Sequence, residues 1–345
     1  MPAFDLAPAQ LRDYRSLVSE PSDFAAFWDK TLSKSRRAGA APRALPVDSK
    51  LALVETLDVT FSGFDGEPIR AWLHRPAGAT APLPAVVRYI GYNCGRGLPH
   101  VVSPLVLAGY AVLSMDNRGQ GALAAYRGDT PDSGGLFREL GGHISRGIFS
   151  SESYYYRRLF TDAVLAVDAV RELPGIDPER IAVQGTSQGG GIALAVSALA
   201  EGLKGAMVDV PFLSDLPRAL DLASEPPYSE AATLLASYPD KVADAFRTLA
   251  YFDGSVLARH ASAPALFSVG LMDSVCPPST VYAAYNAYAG EKQIHEYPYN
   301  GHEGGSFNHE AVQLEWLASV MPVVPPHGGR SANPTTDNHI AVHLD

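Results

Sequence analysis

One stretch of this chain leaves its surroundings little freedom in how they fold. Gly185-Thr186-Ser187-Gln188-Gly189 follows the apolar run Arg180-Ile181-Ala182-Val183-Gln184 and enters a small-residue segment with helical character from Gly190. Strand, sharp turn and helix in immediate succession are what a G-x-S-x-G turn requires. The glycines are steric, because side chains flanking the serine would collide with neighbouring backbone. Such a turn lifts the Ser187 hydroxyl clear of a sheet, and the helix start aims free N–H groups at whatever carbonyl the hydroxyl meets. Other Gly-rich readings fail here: a dinucleotide loop needs glycine where Ser187 stands, and a P-loop needs Gly-Lys-Ser/Thr.

The rest of the chain supplies the sheet that this turn needs. Leu53 to Phe61 and Pro68 to Arg75 flank Phe64-Asp65-Gly66-Glu67 and form a hairpin signature. From Ala85 short apolar runs alternate with longer helical segments, the pattern of a parallel sheet with crossover helices. Strands are expected at Ala85 to Ile90, Tyr110 to Met115, Arg180 to Gln184, Gly205 to Val210, Ala265 to Val269 and Gln293 to Tyr297. Helices are expected at Pro21 to Ser35, Tyr155 to Leu173, Gly190 to Leu203, Ser279 to Ala289 and His309 to Met321. The class is therefore α/β: a mostly parallel central sheet opened by an antiparallel hairpin, the α/β-hydrolase fold. Residues 1–45 read as a helical extension ending in the linker Arg36 to Leu45, and 46–322 as the main domain. Segments 121–153 and 212–259 read as insertions of the lid or contact kind, and 323–345 as a loosely held polar tail.

A neutral serine hydroxyl needs a general base, and the base needs a carboxylate to fix its tautomer. In this fold their order along the chain is Ser, acid, His. Among the histidines after Ser187 (His260, His295, His302, His309, His327 and His339), only His302 follows a late strand in a Gly-flanked loop, Asn300-Gly301-His302-Glu303-Gly304. His295 lies within a strand and His309 opens the last helix, so both read as structural. Asp273, leaving the strand Ala265 to Val269 at its C-terminal edge, is the expected acid, with Asp209 at the end of an earlier strand as its competitor. The intermediate's oxyanion needs two donors: the N–H of Gln188, after the nucleophile, and an N–H from the loop Ile90-Gly91-Tyr92-Asn93, where Tyr92 is the candidate.

Composition excludes other classes. Lys+Arg 27 against Asp+Glu 37 gives 27 − 37 = −10, and no long basic cluster occurs, which argues against nucleic acid. Residues 1–20 hold no continuous apolar stretch of the kind a signal peptide or membrane anchor needs, so a cytoplasmic protein is expected. Cys94 and Cys276 have neither disulfide-framework nor zinc spacing, and His302-Glu303 and His309-Glu310 form no HExxH helix, so no metal or other cofactor is expected.

These residues together resemble the acetyl xylan esterase and cephalosporin C deacetylase family, carbohydrate esterase family seven. The resemblance runs through Pro21-Ser22-Asp23-Phe24-Ala25-Ala26-Phe27-Trp28, Gly91-Tyr92-Asn93, Arg118-Gly119-Gln120-Gly121, Ser145-Arg146-Gly147-Ile148 and Tyr154-Tyr155-Tyr156-Arg157. It continues through Ser187-Gln188-Gly189-Gly190-Gly191, Gly270-Leu271-Met272-Asp273 with Cys276-Pro277-Pro278-Ser279-Thr280, and Gly301-His302-Glu303. It implies a triad of Ser187, Asp273 and His302, oxyanion N–H groups on Tyr92 and Gln188, and Arg118 and Gln120 as structural supports. It also implies metal-free deacetylation of short acetylated xylooligosaccharides and of cephalosporin C, in a homohexamer whose contacts fall in 121–153. The chain departs from many relatives at Ile90, where they carry His, and this bears on the acyl pocket. Two further readings stand beside it: a peptidase or thioesterase on the same fold, and a non-catalytic binding protein that keeps the hydrolase shell.

Overall fold

The computed structural model describes residues 5–122, 126–134 and 141–323. A single nine-stranded sheet organises them, in the order β1-β2-β3-β5-β4-β6-β7-β8-β9. The first three strands, β1 (Arg43–Val47), β2 (Val54–Ser62) and β3 (Pro68–Pro76), run antiparallel, and β3 pairs antiparallel with β5 (Ala111–Met115). From there to the far edge every pairing is parallel: β4 (Leu83–Tyr89), β6 (Ile176–Thr186), β7 (Gly205–Asp209), β8 (Ala265–Gly270) and β9 (Lys292–Tyr297). This is the α/β-hydrolase arrangement expected from the pattern, hairpin included.

Helices cover both faces because the inner strands are apolar on both. On one face the helices Tyr155–Glu172 and Gln188–Leu199 bury Val87, Val183 and Val208 in the larger core. On the other, Pro104–Leu107 and Ser306–Val320 cover Val86, Val112, Ala182 and Leu266. The N-terminal helix Phe24–Ala38 docks Trp28 and Phe27 against Phe160 and Phe252 of the larger core.

The linker expected over Arg36 to Leu45 is corrected at both ends. The helix continues to Ala38, and Arg43–Val47 forms the edge strand β1, with Pro46 opposite Leu57. Ala and Pro hid the strand signal, and an edge position tolerates a proline whose missing N–H faces outward. The helix after Ser187 starts at Gln188 rather than Gly190. Of the regions read as insertions, the second folds mainly into short helices, among them Leu216–Leu222, Tyr228–Ser237 and Val242–Leu249. The tail from Pro325, with His327 and His339, lies outside the described residues, as do 123–125 and 135–140 of the first insertion. Among the described residues no helix is long and apolar enough to cross a membrane.

Candidate active site

The turn at Ser187 is strained as well as sharp. The residue adopts φ 60° and ψ −120°, a conformation L-residues avoid, and backbone bonds hold it there. Its N–H donates to Asp209 O at 3.0 Å, and its carbonyl accepts Gly191 N–H at 2.9 Å and Phe212 N–H at 3.0 Å. A Cβ on Gly185 would stand 2.1 Å from Gly189 O, and one on Gly189 would stand 2.3 Å from Tyr89 O. Only glycine at both positions lets β6 turn this tightly against β4.

Two loops at the C-terminal ends of later strands converge on this hydroxyl. His302 Nε2 lies 2.8 Å from Ser187 Oγ, and its Nδ1 lies 2.9 Å from Asp273 Oδ2. Asp273, just past β8, is fully buried, and its Oδ1 accepts the N–H groups of Val275 at 2.8 Å and Cys276 at 2.9 Å. The carboxylate is therefore fixed by its own loop before it orients the ring. The His302 side chain is 32% exposed, so the ring bridges a dry acid and a surface that a substrate can reach.

The other candidates have other partners. Asp209, the competing acid, faces Ser268 Oγ at 3.1 Å, Gln313 Nε2 at 2.6 Å and His309 Nε2 at 2.8 Å, not His302. The contact with His309 is close but lies outside hydrogen-bond geometry, while His309 Nδ1 shares a bond with Tyr297 OH at 3.0 Å. His260 pairs with Glu20 at 2.9 Å, and His295 stays within β9.

Tyr92 and Gln188 flank Ser187 with backbone N–H groups that no described residue accepts. For Gln188 this follows from its place as the first helical residue. The Tyr92 loop is held by side chains from distant stretches. Asn117 Nδ2 donates to the carbonyls of Ile90 at 3.1 Å and Cys94 at 2.9 Å, and Asn93 N–H donates to Gln120 Oε1 at 2.7 Å. Gln120 Nε2 also donates to Gln188 Oε1 at 3.0 Å, which ties the two N–H-bearing segments together. Tyr156 OH donates to the same oxygen at 2.9 Å. Behind them Arg118, fully buried, forks onto both oxygens of Asp162 and pairs with Glu67, and its carbonyl accepts Tyr155 OH at 2.6 Å. Asp132, which burial alone would raise, is held below its ordinary range by Arg158 and Arg118.

Several supporting residues are absent from the sequence reading. Asn117 precedes the quoted Arg118-Gly119-Gln120, and Tyr156 lies within the quoted tyrosine run, so both carried a signal by proximity. Glu230 carried none: it comes from the second insertion, where its Oε2 accepts Tyr92 OH at 2.6 Å while that hydroxyl accepts Ile144 N–H at 3.1 Å. Burial first, and Glu230 second, push the Tyr92 phenol far above its ordinary range, so it remains a donor.

Asp273, Cys276 and His302 place ligand-type atoms within 4.8 Å of one another. A metal there would have to displace the Asp273–His302 bond and deprotonate a thiol that burial pushes up. The residues fit proton transfer better than metal binding.

Comparison with known proteins points to one family. The model of one family, acetyl xylan esterase (AXE1), matches residues 1–320. The acetyl esterase Axe7A of Xylanibacter ruminicola is 26% identical over 337 residues, covering 90% of this chain and 69% of that protein. The acetyl xylan esterase from Paenibacillus sp. R4 superimposes with a TM-score of 0.85 at 35% identity, over 91% of this chain and 100% of the other. Acetyl Xylan Esterase 1 from Thermoanaerobacterium sp. JW/SL YS485 gives 0.82 at 34% identity, over 90% and 99%.

Proposed function

Because the chain belongs to the acetyl xylan esterase family, a family of carboxylic ester hydrolases, we propose that it removes acetyl groups from acetylated xylooligosaccharides by a serine mechanism through Ser187. The observation that carries this reading is the unbroken hydrogen-bonded series Ser187 Oγ, His302 Nε2, His302 Nδ1 and Asp273 Oδ2.

In the first half-reaction Ser187 Oγ bonds to the acetyl carbonyl carbon while its proton passes to His302 Nε2. Charge develops on the carbonyl oxygen, where the N–H groups of Tyr92 and Gln188 receive it. Asp273 stabilises the imidazolium without taking its proton. The intermediate collapses by breaking the bond to the sugar oxygen, which leaves with the proton from Nε2. A water then gives its proton to His302, attacks the acetyl-enzyme, and releases acetate as Ser187 recovers its proton. Arg118 and Gln120 act as supports: the first locks the segment after β5 onto Asp162, and the second joins the Tyr92 loop to Gln188.

Deacetylation of cephalosporin C, hexameric assembly and a cytoplasmic location extend this proposal and rest on the resemblance and the sequence alone. The test is fluorophosphonate labelling, which should modify Ser187 and be lost in Ser187→Ala. Acetyl esters should be turned over faster than butyryl esters, since each methylene in an acyl pocket is worth roughly 1–3 kcal/mol. Labelling elsewhere, or a preference for butyryl, overturns the reading.

A further inference from the structure

Polar side chains on the inner strands of a parallel sheet need a reason, since both faces are covered. Ser114 on β5, Arg88 on β4 and Gln184 on β6 stand side by side in register near the C-terminal strand ends. They lie two residues beyond Val112, Val86 and Ala182, so they share the face packed by the last helix. This is the topological switch point: the chain runs from β4 to β5 on one side and returns to β6 on the other. A cavity of about 390 Å³ opens over the row, in the size range of small-molecule sites, and reaches Thr186 and Ser187.

Arg88 is the anomaly within it. Among the described residues the four buried arginines are each ion-paired: Arg96 with Asp58 and Asp129, Arg118 with Asp162, Arg157 with Glu152, and Arg158 with Asp132. Arg88 makes no hydrogen bond or ion pair with any described residue, and the surface it exposes lines the cavity. Asp209, Glu303 and Glu310 also line the cavity, yet among the described residues no carboxylate comes within ion-pair distance of Arg88. Burial pushes the guanidinium down from its ordinary range, opposed by Tyr126 and Glu310. Its neighbour Gln184 donates from Nε2 to Gln313 Oε1 at 2.8 Å, and among the described residues the buried Gln184 Oε1 has no donor.

A partly buried guanidinium with no ion-pair partner among the described residues is costly, and its planar fork matches a carboxylate. The adjacent amide oxygen calls for a hydroxyl. We propose that this cavity is a subsite for a sugar acid: its carboxylate is bound by Arg88 and a neighbouring hydroxyl by Gln184, beside the acetyl group presented to Ser187. The subsite makes the enzyme selective for acetylated oligosaccharides that carry a uronic acid. Free acetate has the carboxylate but no hydroxyl to offer Gln184.

The proposal rests on the esterase reading, and the experiment separates the two. An acetylated xylooligosaccharide with a uronic-acid branch is compared with the same oligosaccharide after conversion of that acid to its amide. The readout is the ratio of the two kcat/KM values, from which any general loss of activity in a variant cancels. The wild-type ratio should favour the acid roughly tenfold or more, the effect of a charge-assisted hydrogen bond. Arg88→Lys should keep part of that preference, and Arg88→Gln should bring the ratio near one. A wild-type ratio near one, or an undiminished ratio in Arg88→Gln, overturns the subsite. Failure of the wild type to hydrolyse 4-nitrophenyl acetate overturns the esterase reading itself.

Discussion

Among the described residues two aspartate–histidine pairs are built from the same parts, and only one of them stands at a serine hydroxyl. Asp273 and His302 end at the Ser187 hydroxyl, while Asp209 and His309 end at the Tyr297 phenol. Each acid closes or follows a parallel strand, and each histidine comes after β9. They differ in alignment and access. His302 makes a hydrogen bond through each ring nitrogen and has a side chain 32% exposed, whereas His309 is 4% exposed and meets Asp209 outside hydrogen-bond geometry. The lesson is that a carboxylate beside an imidazole is not a site. Chemistry needs a nucleophile at the free nitrogen and room for a substrate; packing needs neither.

Substitutions in the two pairs should therefore separate cleanly. Ser187→Ala or His302→Ala should lower kcat on 4-nitrophenyl acetate by about 10⁴–10⁶-fold, as loss of a triad member does. A comparable loss in His309→Gln would break the distinction. Asp273→Asn should cost about 10⁴-fold in kcat through the wrong His302 tautomer, whereas Asp209→Asn should leave kcat within roughly tenfold. The second pair should appear in stability instead. Asp209→Asn replaces one of the two oxygens that accept from Ser268 and Gln313 by an NH2 donor, and urea denaturation should register a loss of about 1–3 kcal/mol.

Another buried histidine sharpens the contrast because, among the described residues, it has no carboxylate partner. His143 packs against the rings of Tyr92 and Tyr155, and burial, then Arg146, pushes it down from 6.5 to about 4. Its folded value lies below its unfolded one, so its contribution to stability is complete above about pH 6.5 and is lost as pH falls toward 4. The loss approaches about 3 kcal/mol at roughly 1.4 kcal/mol per unit. Urea midpoints measured across that window should fall for the wild type and fall less steeply for His143→Gln. Equal slopes would mean that the buried ring is not what titrates.

Legibility in the sequence followed the range of the interactions. The Ser187 turn, the strands of the parallel sheet and the loop of His302 announce themselves within a few residues, through glycine, apolar runs and position after a strand. The sequence favours Asp273 over Asp209 because it leaves a late strand at the C-terminal edge, within reach of the His302 loop; in the structure the Asp273 loop satisfies one carboxylate oxygen locally and points the other at His302. Strand β1 was lost because Arg43-Ala44-Leu45-Pro46-Val47 lacks β-branched alternation and pairs only at an edge.

Local sequence, then, determined the sheet, the turn at Ser187 and the residue types around it, because backbone sterics and hydrophobic periodicity act between near neighbours. Only the tertiary structure decided that Glu230 holds Tyr92 across 138 positions, that Gln120 reaches Gln188 across 68, and that Arg88 has no ion-pair partner among the described residues. Polar contacts of that span are directional and short-ranged. They exist only where the packed sheet has already brought their ends together.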